Sequence, residues 1–210
     1  MIEVYDEDYF LRGKETGKSL YENYRFLPEL TRPMVASMVS HLGIKHGQSI
    51  LDFGCARGYT VRAFREMEYE AYGCDVSEWA TANADDNVRN HVGSPEWALD
   101  NSNYDWIIAK DVLEHVKMIC HAIEILMDRA KVGIFVVVPL SLCDNQHYVC
   151  DDYEKDMTHV HRMTLPSWIN LFLRPGWGVH ATYRLPWIKQ NWYKPGWERG
   201  NGFLTIRREG

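Results

Sequence analysis

The sequence predicts an α/β domain with a largely parallel β-sheet. Short apolar runs alternate with amphipathic stretches between about residue 49 and residue 138, which is typical of strands joined by helices. A turn with two glycines, Gly54 and Gly58, follows the first apolar run and leads into a helix-like stretch. Two later strand-like runs stand on either side of Lys194-Pro195-Gly196, and we expect them to pair antiparallel as a C-terminal hairpin.

The predicted elements follow one another in a regular order. The first 30 residues are polar and rich in tyrosine, so we expect an arm or a lid over a site, followed by a single domain over residues 31–210. Apolar residues recur at helical spacing between Val116 and Met127, and Ser77 stands where a helix cap is expected. Strands are predicted over residues 49–53, 71–74, 106–109, 133–138, 178–188 and 202–208, and helices over 60–67, 78–87, 114–129 and 165–173.

The composition is that of an ordinary globular domain. The chain has 210 residues, of which 46% are hydrophobic and 25% charged, enough for one domain with a sizeable core. Its first ten residues are acidic and lack the apolar stretch of a secretory signal, and the longest apolar run, residues 132–140, is far shorter than a membrane span of about 20 residues. Five cysteines, an odd number, favour a reducing compartment. We therefore expect a cytoplasmic protein without a membrane segment.

Charge is distributed unevenly along the chain. Residues 1–160 hold 15 Lys and Arg against 27 Asp and Glu, whereas residues 161–210 hold 8 against 2, within a net charge of −6. The basic C-terminal part indicates either a solvated sheet edge or a surface that meets an anionic substrate or partner. Four aromatic residues there are interpreted as filling the outer sheet face, with stacking on an aromatic substrate as the alternative: Trp187, Trp192, Tyr193 and Trp197.

The glycine turn is not a phosphate-binding loop. A nucleotide P-loop has four residues between its glycines and a lysine after them, whereas Gly54 and Gly58 are separated by three residues and no lysine follows. A dinucleotide fingerprint needs glycine at its first, third and sixth positions, but the third and sixth positions counted from Gly54 are Ala56 and Tyr59. The turn therefore suits a ligand end that carries an ammonium or sulfonium charge.

Two carboxylates stand at the ends of the first two predicted strands. Asp52 precedes Gly54, where it could orient the turn or accept a hydrogen bond from an amine, and Gly54 itself allows close approach of the backbone to a ligand. Asp75 follows Gly54 by 21 residues and ends the next strand. A carboxylate in that position can accept two hydrogen bonds from a ribose diol. The pattern predicts a ligand site at the carboxyl ends of these strands.

Four segments resemble the motifs of class I S-adenosylmethionine-dependent methyltransferases, in the same order and spacing. They are the glycine turn in residues 51–58, the acidic strand end in 72–77, the fourth-strand motif in 104–116 and the fifth strand in 135–139. Residues 158–161, with Thr164, resemble a segment that many small-molecule members carry. The resemblance covers about residues 45–178. It implies a Rossmann-like, doubly wound sheet of seven strands, six parallel and one antiparallel, with the cofactor across the carboxyl ends of the first strands.

The same resemblance implies a set of cofactor-binding residues. S-adenosyl-L-methionine would be the methyl donor and S-adenosyl-L-homocysteine the product. Ala56 replaces the middle glycine of the family pattern, and Ser94 stands where many members have an acid for the adenine, so Ser94, Trp97 or a backbone carbonyl is expected there. The full expected set is Asp52, Gly54, Cys55, Ala56, Gly58, Asp75, Val76, Ser94, Lys110 and Asp111.

Histidines are the candidates for a catalytic base. A base is needed only if the nucleophile loses a proton, and imidazole is the side chain best suited to this at neutral pH. The resemblance places His159 beside the substrate entrance, so His159 is ranked first and His161 second, ahead of His115 and His147; the alternative is that His159 only ties down its loop. A metal site in residues 143–161 is not expected, because the Cys and His spacings differ from those of zinc sites.

The sequence thus predicts a methyltransferase that acts on an oxygen or nitrogen of a small, anionic or aromatic molecule. The arm residues Tyr9, Tyr21, Tyr24 and Arg25 are expected to close over the site. A nucleic-acid methyltransferase is an alternative because of the basic, aromatic C-terminal part, but the acidic remainder argues against a nucleic-acid partner. A protein that binds S-adenosylmethionine without catalysis is the other alternative.

Overall fold

A seven-stranded β-sheet forms the centre of the computed structural model, which describes residues 2–100, 102–190 and 193–209. Across the sheet the strands lie in the order β3-β2-β1-β4-β5-β7-β6. Strand β7 pairs antiparallel with β5 and β6, and the other pairs are parallel, so six strands run one way and one runs against them. The strands are β1 (Ser49–Phe53), β2 (Glu70–Cys74), β3 (Val92–Gly93), β4 (Tyr104–Lys110), β5 (Ala130–Pro139), β6 (Trp177–Thr182) and β7 (Asn201–Arg208). The predicted Rossmann-like, doubly wound fold is confirmed.

Helices cover both faces of the sheet because successive strand residues point to opposite faces. Leu51 and Ile107 pack on one face in a core that includes Trp168, whereas Ile50 and Ile108 pack on the other. The described helices are α1 (Glu7–Leu11), α2 (Gly13–Thr16), α3 (Pro28–Leu42), α4 (Tyr59–Glu66), α5 (Glu78–Ala82), α6 (Pro95–Leu99), α7 (Ile119–Arg129) and α8 (Leu165–Leu171). None of them is both long and apolar enough to cross a membrane.

Three predicted elements are shorter by five or more residues at one end in the structure, and α8 is shorter by two. Helix α5 ends at Ala82 instead of residue 87, and the Asn83 side chain that follows donates to the Trp79 carbonyl at 2.8 Å. Helix α7 begins at Ile119, because residues before it form a 3-10 turn, Leu113–His115. Strand β6 ends at Thr182 instead of residue 188. The segment beyond it contains Trp187 at φ 65° and Lys189 at φ 59°, a left-handed backbone that an extended strand does not have.

Residues 2–27 include short helical turns and lie over the sheet end, ahead of α3. Helix α3 itself was not predicted, although Pro28 starts it and Gly43, at φ 61°, ends it. Residue 30, the expected end of the arm, lies within α3. In the C-terminal part, Tyr193 packs against the sheet core and Trp197 against a small cluster around Tyr153. Trp187 is largely exposed, and Trp192 lies outside the described residues.

Candidate functional site

Two adjoining cavities open at the carboxyl ends of the parallel strands. The glycine-loop cavity has a volume of about 290 Å³ and includes Gly54 and Asp75 in its wall. The histidine cavity has a volume of about 370 Å³ and includes Glu114 and His159. The two cavities share four lining residues: Tyr9, Tyr21, Asp111 and His115. Two ligands bound in these cavities would therefore meet at this shared wall.

The glycine turn is fixed by its backbone. The amide groups of Gly54 and Cys55 both donate to the Cys74 carbonyl, at 2.8 and 3.0 Å, and so join the turn to the end of β2. Gly54 has φ 79°, and a Cβ added there would lie 2.4 Å from Val112 Cγ2. Both the left-handed backbone and the missing space require glycine. Ala56 also has a left-handed backbone, at φ 49°.

Asp75 connects the end of β2 to the glycine turn. Its Oδ2 accepts from the Ala56 amide at 2.7 Å, and its Oδ1 accepts from the Ser77 amide at 2.9 Å. Burial raises the pKa of Asp75, and the two amide hydrogen bonds oppose this shift. A carboxylate has about four acceptor positions, so each oxygen of Asp75 retains capacity for a hydroxyl group in the cavity.

The expected cofactor residues occupy two layers. Gly54, Ala56, Asp75, Val76 and Asp111 line the glycine-loop cavity, whereas Lys110 lines the histidine cavity. The other four lie outside the described walls of both cavities, and each supports the turn or a neighbouring element. They are Asp52, Cys55, Gly58 and Ser94. Asp52 is buried, and Cys55 Sγ lies 2.7 Å from the position that a Cβ on Gly73 would take. Gly58 is the N-cap of α4, and Ser94 is the N-cap of α6.

Sequence reasoning missed the apolar and aromatic walls of the glycine-loop cavity. Phe53, Val112 and Val116 come from strand ends and the turn after β4, and their proximity to the motifs was the available signal. Tyr5 and Phe10 come from the arm. No sequence motif marks these two arm residues, because the arm reaches the cavity only through tertiary packing.

The arm is docked on the glycine turn and on α5. The Ser77 hydroxyl donates to the Tyr5 carbonyl at 2.6 Å, and Phe10 stacks on Trp79 with 5.5 Å between ring centroids. Of the arm residues expected to close over the site, Tyr9, Tyr21 and Tyr24 line the histidine cavity, and Arg25 is outside its described wall. The Tyr9 hydroxyl donates to Asp156 Oδ2 at 3.0 Å, across the cavity from the arm.

Asp111 carries two ion pairs at the boundary between the cavities. Lys110 Nζ lies 2.5 Å from Asp111 Oδ2, and Lys189 Nζ lies 2.7 Å from Oδ1. Burial alone would raise the pKa of Asp111, but the two ammonium groups outweigh it and hold the pKa well below its usual range. Asp111 and Lys189 both have positive φ, at 56° and 59°. Such backbone strain is concentrated at functional sites.

Two imidazoles and a carboxyl group lie together in the histidine cavity. His115 Nδ1 lies 2.8 Å from Thr158 Oγ1, His159 Nδ1 lies 2.9 Å from the Tyr153 carbonyl, and the ring centroids are 4.6 Å apart. Burial and then His159 lower the pKa of His115 to about 4, and burial lowers the pKa of His159. Burial, reinforced by Asp111, raises the pKa of Glu114 to about 8.

The other two candidate histidines lie elsewhere. His161 Nε2 is bonded to the Val116 carbonyl at 2.8 Å, and its side chain is outside the described wall of the histidine cavity. His147 is exposed and lies 3.5 Å from Glu154. Sequence reasoning ranked His159 first and placed His115 among the lower candidates, whereas the structure brings these two together.

The glycine-loop cavity fits S-adenosylmethionine. Asp75 presents a carboxylate for a ribose diol, and Gly54 leaves the space that a Cβ would fill. Phe10, Val76 and Val112 supply apolar walls for the uncharged parts of such a molecule. The cavity lies at the carboxyl ends of parallel strands, where open α/β sheets bind their ligands.

Comparison with solved structures shows the same fold. One match is the structure of the complex between the Haloferax volcanii Trm112 methyltransferase activator and a methyltransferase, with 13% identity, TM-score 0.64 and coverage of 87% of this chain and 91% of that chain. The [4+2]-cyclase SpnF has 16% identity, TM-score 0.62 and coverage of 84% and 81%. The plantazolicin methyltransferase BpumL, crystallised with a triazolic desmethylPZN analog and SAH, has 15% identity, TM-score 0.61 and coverage of 86% of each chain.

Sequence comparison gives the family. No curated protein matches this chain. A family model described as a methyltransferase domain matches residues 23–182. This range includes the glycine turn and Asp75, and also Glu114, His115 and His159. The family match, together with a cavity that fits the methyl donor, shows that the chain belongs to the methyltransferase-domain family and is an S-adenosylmethionine-dependent methyltransferase.

Proposed function

We propose that this methyltransferase transfers the methyl group to an oxygen or nitrogen atom of a small molecule bound in the histidine cavity. The observation that carries the proposal is the wall of four residues shared by the two cavities, since a cofactor in one and an acceptor in the other would meet at Asp111 and His115. The volume of about 370 Å³ suits a small organic molecule. The arm over the cavity favours such an acceptor over a nucleic acid.

Bound S-adenosylmethionine supplies a methyl group that is already activated by a positively charged sulfur. The task of the chain is therefore to hold the acceptor in line with that group and to keep water away. In the glycine-loop cavity we assign the ribose hydroxyls to Asp75 and the close backbone approach to Gly54. We assign supporting roles behind this wall to Asp52, Cys55, Gly58 and Ser94, because they fix the turn and its neighbours.

His159 is the residue that we place against the acceptor. Its Nδ1 points to a backbone carbonyl, which requires a proton on Nδ1 and leaves Nε2 with a free lone pair. That lone pair could accept the proton of an O–H or N–H nucleophile. His161, ranked second, is the weaker candidate because its side chain lies outside the described wall of the histidine cavity.

The walls of the histidine cavity favour an aromatic acceptor. Tyr21, Tyr24 and Trp187 offer flat apolar surfaces for stacking. Lys110 and Lys189 supply positive charge for an anionic acceptor, but both ammonium groups pair with Asp111. The aromatic preference therefore has the stronger support.

We further propose that residues 1–30 act as a lid that must open for ligands to enter. Tyr9 and Tyr21 line both cavities, so the arm covers the point where two ligands would meet. Lids of this kind exclude water from the reaction. The last three residues of the proposed lid belong to α3 and would form its hinge.

Calorimetry with S-adenosylhomocysteine tests cofactor binding. We expect one molecule to bind per chain, and we expect Asp75→Ala to weaken binding by at least about 30-fold, because two hydrogen bonds to a charged acceptor contribute roughly 2–4 kcal/mol. Asp86→Asn is the matched control, since the side chain of Asp86 is 87% exposed. Failure of the wild type to bind either form of the cofactor contradicts the proposal.

A labelled methyl group tests the acceptor class. Wild-type protein is incubated with labelled S-adenosylmethionine and with separated fractions of cell extract, and we expect label in the small-molecule fraction. Label in nucleic acid alone contradicts the proposal. Cofactor binding without label in any fraction indicates a protein that does not transfer methyl groups. The [4+2]-cyclase SpnF, which has the same fold, is named for a different reaction.

A further inference from the structure

Three side chains with metal-ligating atoms converge in the histidine cavity. One atom from each of Glu114, His115 and His159 lies within 4.8 Å of the others. We infer that these residues bind a divalent transition-metal cation, and that an acceptor hydroxyl oxygen occupies a further coordination position. The inference rests on the proposed function and deepens it, because it selects acceptors that carry a hydroxyl group.

One carboxyl oxygen of Glu114 is buried without a hydrogen-bond partner. Glu114 is only 1% exposed, and its Oε2 accepts no hydrogen bond from residues 2–100, 102–190 and 193–209. A buried, unpaired carboxylate is costly, whereas coordination of a cation satisfies both its charge and its lone pairs. The Glu114 carbonyl accepts from the amides of Val160 and His161, at 2.9 and 3.2 Å, and this holds the residue next to the segment that carries His159.

Both imidazoles are oriented as metal ligands. The Thr158 hydroxyl donates to Asp156 Oδ1, so it accepts from His115 Nδ1 and places the proton on that nitrogen. His159 Nδ1 donates to the Tyr153 carbonyl. Each ring therefore has a lone pair on Nε2. Metal-binding histidines are held in this way, with the other ring nitrogen donating to a carbonyl or to a second polar group.

The charges around these three residues are compatible with a bound divalent cation. Asp111 and Asp156 are the acidic neighbours, and Lys110 and Lys189 are the basic ones. Both ammonium groups lie against Asp111, whose single negative charge offsets one of their two positive charges. Asp156 accepts from Tyr9 and Thr158 and adds negative charge behind His115.

The ligand set indicates the class of cation. Two imidazoles and one carboxylate suit Zn²⁺ and related first-row cations, and catalytic zinc sites with two His and one Glu keep a position open for another ligand. With bonds of about 2.1 Å, tetrahedral ligand atoms lie about 3.4 Å apart, so atoms that are now within 4.8 Å must approach by no more than about 1.4 Å. Side-chain rotation can supply a movement of this size.

A cation would change the role of His159. Its Nε2 cannot both bind a metal and accept a proton from the acceptor. With the cation bound, His159 would hold the acceptor through the metal. The metal would lower the pKa of the coordinated hydroxyl, which would release its proton to water before it takes the methyl group. Without it, His159 would meet the acceptor directly.

Cobalt binding tests the inference, because Co²⁺ coordinated by protein ligands has visible absorption bands. Full-length protein is treated with a chelator, dialysed and titrated with Co²⁺. We expect one Co²⁺ per wild-type chain, and we expect Glu114→Gln and His159→Asn each to weaken binding by at least about 100-fold, since even outer partners contribute 10- to 100-fold. His147→Gln and Cys143→Ser are matched controls, because both residues are exposed and away from the cavity.

Thr158→Val provides a second test if a ligand variant does not fold. It removes the hydroxyl that orients His115 and keeps the size of the side chain, so we expect Co²⁺ binding to weaken by about 10- to 100-fold. Absence of stoichiometric Co²⁺ from the wild type overturns the inference. Equal Co²⁺ affinity of the wild type and the Glu114→Gln, His159→Asn and Thr158→Val variants also overturns it.

Calorimetry with S-adenosylhomocysteine on the same samples separates the two proposals. If the cofactor product binds and methyl transfer is unchanged in chelator, but Co²⁺ does not bind, the metal inference is wrong and the proposed function stands. If Co²⁺ binds stoichiometrically and the cofactor product does not bind, the proposed function is wrong, and the site is a metal site of another purpose.

Discussion

The two cavities are neighbours, but the chain builds them differently. Apart from the arm, the glycine-loop cavity is lined by residues 53–117, at the ends of four adjacent strands. The histidine cavity draws on the arm, α3, the turn after β4, residues 153–159 and residues 187–190. Backbone hydrogen bonds fix the first cavity, whereas side-chain ion pairs, hydrogen bonds and aromatic contacts assemble the second.

Because the two cavities are built differently, we expect them to respond differently to substitution. Substitutions in the glycine turn should affect the fold and cofactor binding together, because the same backbone serves both. Substitutions in the histidine cavity should affect the acceptor more than the fold, because its contacts join surface segments. Point substitutions in each cavity and in the arm can test this expectation.

Gly54→Ala should have the largest effect. The new methyl group would face Val112 Cγ2 at 2.4 Å and Cβ at 2.7 Å, on a backbone with φ 79°. We expect the free energy of unfolding to fall by about 3–5 kcal/mol, from left-handed strain and overpacking together, and cofactor binding to be lost. Urea unfolding and calorimetry measure the two effects.

Gly47→Ala is the control for backbone strain alone. Gly47 has φ 85°, and a Cβ there would meet nothing within 4 Å. We expect a loss of about 1–2 kcal/mol without a change in cofactor affinity. If Gly47→Ala and Gly54→Ala have equal effects, the contact with Val112 is unimportant and the glycine turn tolerates side chains.

Asp52→Asn should change the pH dependence of stability. Burial, with a further contribution from Asp75 and opposition from Lys110, raises the pKa of Asp52 from 3.8 to about 7. Between these values the unfolded chain has released the proton that the folded chain retains, so stability should fall as pH rises from about 4 to about 7. We expect the contribution of Asp52 to this fall to be on the order of 2–4 kcal/mol and to be lost in Asp52→Asn, which keeps the contributions of Asp75 and Glu114.

Stability of wild type and variant, measured by urea unfolding at several pH values, checks this expectation. Repeating the series with saturating S-adenosylhomocysteine then locates Asp52. A carboxylate behind the turn, as the structure places it, keeps its pH dependence when the ligand is bound, whereas one that contacts a cationic group of the ligand loses it. Equal pH profiles for wild type and Asp52→Asn without ligand would show that Asp52 is ionised in the folded chain.

Tyr9→Phe should have a moderate effect that is concentrated in the histidine cavity. The variant keeps the aromatic ring and removes the hydrogen bond to Asp156 across that cavity. We expect a loss of about 1–2 kcal/mol in arm docking, because the bond has a charged acceptor. Limited proteolysis should cut the arm about 5- to 30-fold faster, with little change in global stability.

Tyr72→Phe is the matched control. Among the described contacts, the Tyr72 hydroxyl donates to Glu70 at an exposed part of the sheet. Faster cleavage of the arm in both variants would assign the effect to general loosening of the chain. Unchanged cleavage in Tyr9→Phe would show that the bond to Asp156 does not hold the arm, and that the Ser77 hydroxyl, Arg57 and the aromatic contacts are sufficient.

The sequence predicted the first cavity better than the second for a physical reason. Gly54 and Asp75 stand at strand ends, and parallel strand ends meet at one edge of the sheet, so spacing along the chain was enough to bring them together. Strands β1, β2 and β4 around them were also predicted, because their apolar runs reflect burial in the sheet, whereas helix α6 was not.

The second cavity depends on packing that no local pattern records. His115 and His159 are 44 positions apart and meet because the Glu114 carbonyl accepts from the amides of Val160 and His161. Lys189 reaches Asp111 from just beyond the strand predicted over residues 178–188, and its left-handed backbone was not foreseen. Helix α3 was missed because Pro33 within it argues against a helix, although the helix accommodates it.

Ala56→Gly should have the smallest effect, because two contributions oppose each other. Glycine relieves the left-handed strain at φ 49°, worth about 1–2 kcal/mol. It also removes a methyl group that packs with Tyr9 and Phe10 of the arm, worth about 0.8 kcal/mol, and adds unfolded-state entropy of about 0.5–1 kcal/mol. We expect the free energy of unfolding to change by less than about 1 kcal/mol and affinity for S-adenosylhomocysteine by less than about threefold. Arm cleavage by protease should rise slightly, because Ala56 is where the glycine turn contacts the arm. A large gain in cofactor affinity would mean that the methyl group of Ala56 obstructs the ligand. The expectation that the glycine turn changes stability and cofactor binding together would then not hold at this position.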